Sequence, residues 1–389
     1  MKQLAESLND QEVIVRDYAV DIVPIMFNSE VHLPFGTIEH RPSAWLQLRA
    51  DIAGVEAVGR AEGTSLPMQI PLYDDYEGNL ENNIRRITDP LKERALSFGE
   101  VRSHIEEVAL GGNFATARMT VEAAVIDTIA RSHDISVYEL MSGGMTEHDL
   151  SIPYGKSIAE QEETAIVSAA LTAREKGAQR LKLKVSPSTA ENVIRGISQI
   201  KGRVAGVDVM VDANGSFDPE QSGHLSILER LDELGLMMIE EPVSRAGNVR
   251  GLDAHRRLQH GIQLRTPIAL DDAIIDEKDA RIALEEGLGD IVNLKPGRVG
   301  SFLKCVEIAD MAQALGKQIM VGGMYEATPG RSMTLTLAAM CIDRGFDIPG
   351  DVSLPQERLL SDLVDDRLSL DGNGNVTFNA RKKGWGYTL

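Results

Sequence analysis

Short apolar runs recur between Arg180 and Gly330, and several of them close on a charged residue. RLKLKV (180–185) closes near Lys184, DVMVDANG (208–215) at Asp212, and LMMIEEP (236–242) at Glu240 and Glu241. PIALDDA (267–273) closes at Asp271 and Asp272, IVNLKPG (291–297) at Lys295, and IMVGGMYE (319–326) at Glu326. Turn residues bound each run, and a stretch long enough for a helix follows it. That alternation predicts parallel strands joined by helical crossovers. In a closed (β/α) barrel the strand C-termini converge on one face, where active sites sit. The order of charges on that face is then Lys, Asp, Glu, Asp, Lys.

The same reading extends outward. SIPYGKSI (151–158) fits a first barrel strand and FDIPGDVS (346–353) a last one. Crossover helices are predicted over 160–176, 188–201, 221–235, 277–287, 301–315 and 331–341, with one more in HRRLQHGIQLR (255–265). Ahead of the barrel, residues 13–50 are β-rich, and the polar segment NSEVHLPFGTIEHRP (28–42) reads as a hairpin loop. Helical spacing follows over 91–109 and again over 114–140, where Met119, Val121, Ala124, Val125, Ile126, Ile129 and Ala130 make a broad apolar face. SGG at 142–144 closes that helix as a glycine cap would. The tail after 355 fits a hairpin turning at 371–375 that packs on the N-terminal part. The expected division is 1–145, 146–355 and 356–389.

Composition narrows the function. The formal charge of −19 over 389 residues disfavours nucleic acid as a partner. Two cysteines, Cys305 and Cys341, in apolar helical contexts give no disulfide framework and fit a reducing compartment. The N-terminus carries no apolar signal-peptide core, and no apolar run is long enough to span a membrane. A cytoplasmic protein acting on a small molecule is expected, with neither a nucleic acid nor a membrane as partner.

Three carboxylates at the ends of successive strands, about 4.8 Å apart, repel one another unless a cation sits among them. Oxygen donors in an open site favour Mg²⁺ or Mn²⁺ over zinc. A single Asp at a strand end need only cap the next helix; three in a row between two lysines point to a site. Alternation allows only one of Glu240/Glu241 and one of Asp271/Asp272 to face the interior, so Glu241 and Asp272 are expected to support the ligands from behind. Lys182 and Lys184 share one face of the second strand, and Lys295 lies on the far side of the carboxylates. A lysine whose pKa falls through burial or a neighbouring cation serves as a general base. A divalent cation stabilises the charge released when a proton leaves the carbon α to a carboxylate.

KLKV, VDANG, MIEEP, LDDA and NLKPGRVGSF together resemble the enolase superfamily, in its muconate lactonizing subgroup. NLKPGRVGSF, GGMYEATPGR and IPGDVS are most similar to o-succinylbenzoate synthases and their N-acylamino acid racemase relatives. FGTIEHRPSAWLQLRA and ATARMTVEAAVIDTIARSHDISVYELMSGG extend the resemblance over nearly the whole chain. It implies an α/β protein, a (β/α)7β TIM-like barrel under an α+β capping domain whose 28–40 loop closes on substrate. It implies Asp212, Glu240 and Asp271 as Mg²⁺ ligands and Lys184 as the base. It implies Lys295 as a second acid/base or a fixed positive charge, with Lys182, Asn214, Gly322, Gly323, Met324 and Glu326 lining or supporting the site. Barrel enzymes of this subgroup are often homo-oligomers.

The chain departs from the pattern at Glu241, at Asp272-Ala273, at Glu326-Ala327-Thr328-Pro329-Gly330 and at Ser332-Met333, and no histidine base follows the seventh strand. The expected reaction is o-succinylbenzoate synthase-like β-elimination of water. The alternatives are racemisation of N-acylamino acids or epimerisation of dipeptides using both lysines, and muconate cycloisomerisation. Pro349-Gly350-Asp351-Val352-Ser353 lacks the Asp-x-Asp that dipeptide epimerases usually carry there.

Overall fold

The computed structural model describes residues 8–33, 36–70, 75–108, 112–144, 148–243 and 252–388. Strands β1 (Glu12–Leu33), β2 (Gly36–Ile52), β3 (Val55–Thr64) and β4 (Ala95–Ser97) form an antiparallel sheet in the order β3-β2-β1-β4. Alternation buries Ala44, Leu46, Leu48, Ala50 and Ile52 of β2 on one face. The helix Ala115–Ser132 packs against this sheet, closest to β3. Gly59 and Gly63 of β3 permit that approach: a Cβ at these positions would lie 2.1 Å from Thr128 Oγ1 and 1.9 Å from Thr120 Oγ1.

The segment 28–42, expected as a loop, is instead largely strand: His40, Arg41 and Pro42 pair with Met26, Ile25 and Pro24, Val31 faces Ile38 and Leu33 faces Gly36. The cause is a second apolar cluster, in which Val31 and Ile38 join Ile25, Phe27, Leu66, Ile70 and Leu359. An irregularity between Met26 and Val31 takes up the change of register. Residues 34 and 35, at the tip, lie outside the described residues.

Other elements shift for local reasons. The predicted helix over 91–109 is reduced to Phe98–Val108, because Asp89–Leu91 is a tight 3-10 turn around Pro90 and Ala95–Ser97 pairs with β1. Leu80–Thr88 is an additional helix, its inner face made by Leu80, Ile84 and Ile87. The helix expected over 114–140 breaks after Ser132, and Ser136 restarts it in a capping box with Glu139.

The barrel is a seven-stranded parallel sheet of β6 (Gly155–Ile158), β7 (Arg180–Lys184), β8 (Asp208–Asp212), β9 (Ile239–Glu240), β10 (Ile268–Leu270), β11 (Ile291–Leu294) and β12 (Gln318–Val321). The expected first strand, 151–158, is cut at Tyr154. Its first half, β5 (Leu150–Pro153), pairs antiparallel with a strand of the tail, and only the second half enters the barrel. The expected last strand, 346–353, forms no ladder. Pro349 has no N–H to give, and the segment closes the ring by single bonds. Gly155 N donates to Gly350 O at 3.2 Å, and Asp351 N donates to Val321 O at 2.9 Å.

In the tail, β13 (Ser369–Leu370) and β14 (Asn375–Phe378) extend the sheet on β5. Trp385 then reaches the N-terminal sheet's helix, its indole N–H donating to Ala123 O at 3.0 Å and its backbone N–H to Asp127 at 2.9 Å.

Two buried carboxylates cross from the N-terminal domain into the barrel. Glu122 accepts from Ser301 Oγ at 2.7 Å and Phe302 N at 2.7 Å, at the start of the helix Phe302–Ala314, the second helix after β11. Glu62 accepts from Ala327 N at 2.9 Å and Gly330 N at 2.8 Å, at the start of the helix after β12. Burial pushes the Glu62 carboxyl up to about 7, against the pull of those two amides and with the help of the nearby Glu326 charge. Its folded pKa thus lies above its ordinary value of 4.5, so between the two the folded state holds the extra proton. Stability on this account is highest at low pH and falls as pH rises from about 4.5 to about 7, by at most about 1.4 kcal/mol per pH unit. In urea titrations across that window, Glu62→Gln is expected to show a shallower fall than wild type; equal slopes would mean that Glu62 does not titrate there.

Candidate active site

The barrel interior changes character within one step of the strand period. Met210, Met238, Ala269, Ile291 and Met320, within or just before five successive strands, form an apolar plug. Two residues on from each, on the same face, stand Asp212, Glu240, Asp271, Asn293 and Gly322. β7 runs beside them with Arg180, Lys182 and Lys184 at the same spacing. The parallel register sets Lys184 beside Asp212 and Asp212 beside Glu240.

The carboxylates are buried and held by cations. Lys184 Nζ lies 2.6 Å from Asp212 Oδ2 and donates to Asn214 Oδ1 at 2.7 Å. Lys182 Nζ donates to Glu240 Oε2 at 3.1 Å and also bonds Asp351, whose other oxygen is held by Arg180. Asn293 Nδ2 donates to the second oxygen of Glu240 at 2.8 Å. Lys295 Nζ lies 2.7 Å from Asp271 Oδ2, and Arg298 bonds Oδ1 of the same group. The two outer lysines differ: the Lys184 side chain is 37% exposed and that of Lys295 only 15%.

Electrostatics follow this crowding. Burial raises Glu240 to about 7, and the Asp212 charge adds to it while Lys182 opposes it. Burial also works against the charges of Asp212 and Asp271, but Lys184 and Lys182 for the first, and Lys295 and Arg298 for the second, hold both below the ordinary carboxylate range. Glu241 points away from the interior and accepts the backbone N–H of Asp271 at 2.7 Å, so it positions that residue from behind.

Lys182, Asn214 and Gly322 stand where the sequence predicts contact with the site. Gly322 backs Lys295: a Cβ there would lie 2.7 Å from Lys295 Cε and 2.2 Å from Asn293 Oδ1. Gly323 leaves room for the Arg331 guanidinium. Met324 packs near Gly297 and the Met119 side of the N-terminal domain. Glu326, expected to line the site, instead turns back on its own loop. It accepts from Met324 N at 2.8 Å and pairs with Arg331 at 3.0 Å, because that loop needs its amides and its arginine satisfied below the surface. Within residues 28–40, expected to close on substrate, 31–33 pair with 36–38, and Phe27 just before them stands edge-on to Tyr325 at 5.4 Å. Sequence reasoning missed Arg180, Asn293, Arg298 and Asp351. The first two lie two residues before Lys182 and Lys295, so the same period could have found them.

Among the described residues, no three His, Cys, Asp or Glu side chains stand grouped as a metal cage; lysines and Arg298 take the carboxylate oxygens instead. The donor chemistry nonetheless fits a hard divalent cation. Asp212, Glu240 and Asp271 are all-oxygen donors on adjacent strand ends, buried, with mutual repulsion that a cation would relieve. Mg²⁺ is expected to raise the melting temperature and EDTA to reverse it, with a stabilisation of about 2.7 kcal/mol at a hundredfold excess over Kd. Glu240→Gln should lose most of that response; an unchanged response would place the ion elsewhere.

Comparison with known proteins supplies the context. Residues 165–389 match the family described as Enolase C-terminal domain-like. The chain is 30% identical over 261 residues to an o-succinylbenzoate synthase of Bacillus subtilis, covering 67% of this chain and 65% of that protein, just under two thirds of its length. It is 29% identical over 322 residues to an N-succinylamino acid racemase of Amycolatopsis sp, covering 81% of each. Its fold superposes on that of the L-Ala-D/L-Glu epimerase from Bacillus subtilis with a TM-score of 0.80 and 21% identity, covering 96% of this chain and 98% of that one. The chain belongs to the enolase superfamily. Members of that superfamily are generally Mg²⁺-dependent enzymes.

Proposed function

We propose that this enolase-superfamily member removes the α-proton of a small carboxylate substrate and expels a β-hydroxyl, in the manner of an o-succinylbenzoate synthase. The observation that carries this reading is the unequal pair of lysines flanking the carboxylate trio. Lys184 stands at the mouth, and among the described residues its ammonium is held by Asp212 and Asn214. Lys295 is packed against Gly322 and tied to Asp271. One accessible amine and one fixed cation suit a reaction with a single proton-transfer group.

Asp212, Glu240 and Asp271 would hold the divalent ion. When bound, that ion supplies Lewis-acid stabilisation of the charge that develops on the substrate carboxylate. Lys184 acts as the general base that takes the α-proton. The C–H pair becomes the new C=C bond, the β C–O bond breaks, and Lys184 returns its proton to the departing hydroxyl on the same face, releasing water. Lys295 holds positive charge on the opposite side throughout. The relatives named o-succinylbenzoate synthase support this reading.

A second reading, N-succinylamino acid racemisation, is supported by the position of Lys295 across the carboxylates from Lys184 and by the relative of that name. It needs Lys295 to deliver a proton. Dipeptide epimerisation is less favoured, because Asp351, the carboxylate after the last strand, is already held by Arg180 and Lys182.

Proton NMR in D₂O with Mg²⁺ separates these readings, using the hydroxycyclohexadiene precursor of o-succinylbenzoate and, separately, an N-succinyl amino acid. Wild type is expected to form the aromatic product faster than it exchanges the amino acid α-proton. Lys184→Ala should slow both by about 10²–10⁴-fold. Lys295→Arg, which keeps the charge but cannot shuttle a proton, should preserve dehydration within about tenfold while abolishing racemisation. Equal loss of both in Lys295→Arg would move the assignment to a two-base isomerase.

A further inference from the structure

The loop after β12 carries Gly322, which backs Lys295 and donates its N–H to Leu294 O at 2.8 Å, and its far end is anchored from the other domain. Glu62 lies on β3, opposite Trp45, and is 2% exposed. Its two oxygens take Ala327 N at 2.9 Å and Gly330 N at 2.8 Å, and Ser43 Oγ at 2.9 Å completes its bonding. The fit is close: a Cβ on Gly330 would lie 2.9 Å from Glu62 Oε2 and 2.8 Å from Glu326 Cβ. Asp362 of the tail takes the amide and hydroxyl of Thr328, so the first amides of this helix are shared between two distant segments. Tyr325, on the same loop, sits at a φ of 62° with its ring against Phe27 of β1. A non-glycine residue in that conformation persists only where its surroundings hold it.

We propose that Glu62 is a positioning residue for the active site: from the capping domain it fixes the 322–330 loop, and through Gly322 the place of Lys295. The proposal rests on the assignment of Lys295 to the reaction, but the latch itself can be tested without a substrate. Bonds from Glu62 end on main-chain amides, so a loop side chain can change without loosening it. Glutamine does not replace it well, since its NH₂ would meet one of the two amide N–H groups head-on.

The test compares wild type with Glu62→Ala and, in case that variant folds poorly, Gly330→Ala, which pushes on the same bond from the barrel side. Hydrogen exchange followed by mass spectrometry should show amides of 322–330 exchanging at least about tenfold faster in either variant, with 302–306, held by Glu122, unchanged. In whichever α-proton reaction runs, kcat should fall by about tenfold or more while KM moves less than about threefold, as expected when a reacting group is misplaced and substrate binding stays intact. Unchanged exchange in both variants overturns the proposal, and so does faster exchange with an unchanged kcat. Should wild type turn over neither substrate, the proposed function falls, and the exchange result alone decides whether Glu62 holds the loop.

Discussion

Buried charge at the barrel mouth governs this molecule. Asp212, Glu240 and Asp271 are withdrawn from water and Asp351 is half-buried beside them, and removing a carboxylate from water without compensation costs several kcal/mol. The fold answers with Arg180, Lys182 and Lys184 spaced along β7, and with Lys295 and Arg298 just after β11. Only parallel strands around a closed ring can bring so many side chains of adjacent strands to one level. The methionine-rich plug beneath then shuts the interior to water from below, so the charges act on one another and on whatever enters from above.

That mouth is not finished by the barrel alone. β11 delivers Lys295 and Arg298, and β12 delivers the glycine that backs Lys295; the helices after both strands begin on carboxylates from the N-terminal domain. The small apolar cluster of Phe27, Val31, Ile38, Ala327 and Leu359 adds a third connection at the same edge. The N-terminal domain therefore sets the height and angle of two barrel loops, besides covering them.

Much of the barrel was legible in the chain because strand period and burial coincide there. Asp212, Glu240, Asp271 and Lys295 each follow an apolar run by a fixed step, and the structure places them on one face. What the sequence hid was of three kinds. Segments 28–42 and 346–353 were misread because strand pairing at the rim of a sheet depends on distant partners, Leu66 and Leu359 in one case and β6 and β12 in the other. Glu326 was misread because a polar residue after a strand can serve its own loop as well as a ligand. Arg298 and Asp351 went unnoticed because their partners, Asp271, Arg180 and Lys182, are far off in sequence and only the closed ring brings them together.

The same geometry explains why reaction type is harder to read than reaction class. Removing an α-proton needs a base on one face and positive charge near the carboxylate, and every arrangement of this strand set supplies both. Whether the product is an alkene or an inverted centre then depends on what the far-side amine can do. Here that amine is packed on a glycine whose loop also meets Glu62 of the N-terminal domain. If Glu62 positions Lys295 as proposed, a change in the N-terminal domain that never touches substrate would shift the balance between elimination and proton return, by moving Lys295 rather than by changing which groups are present.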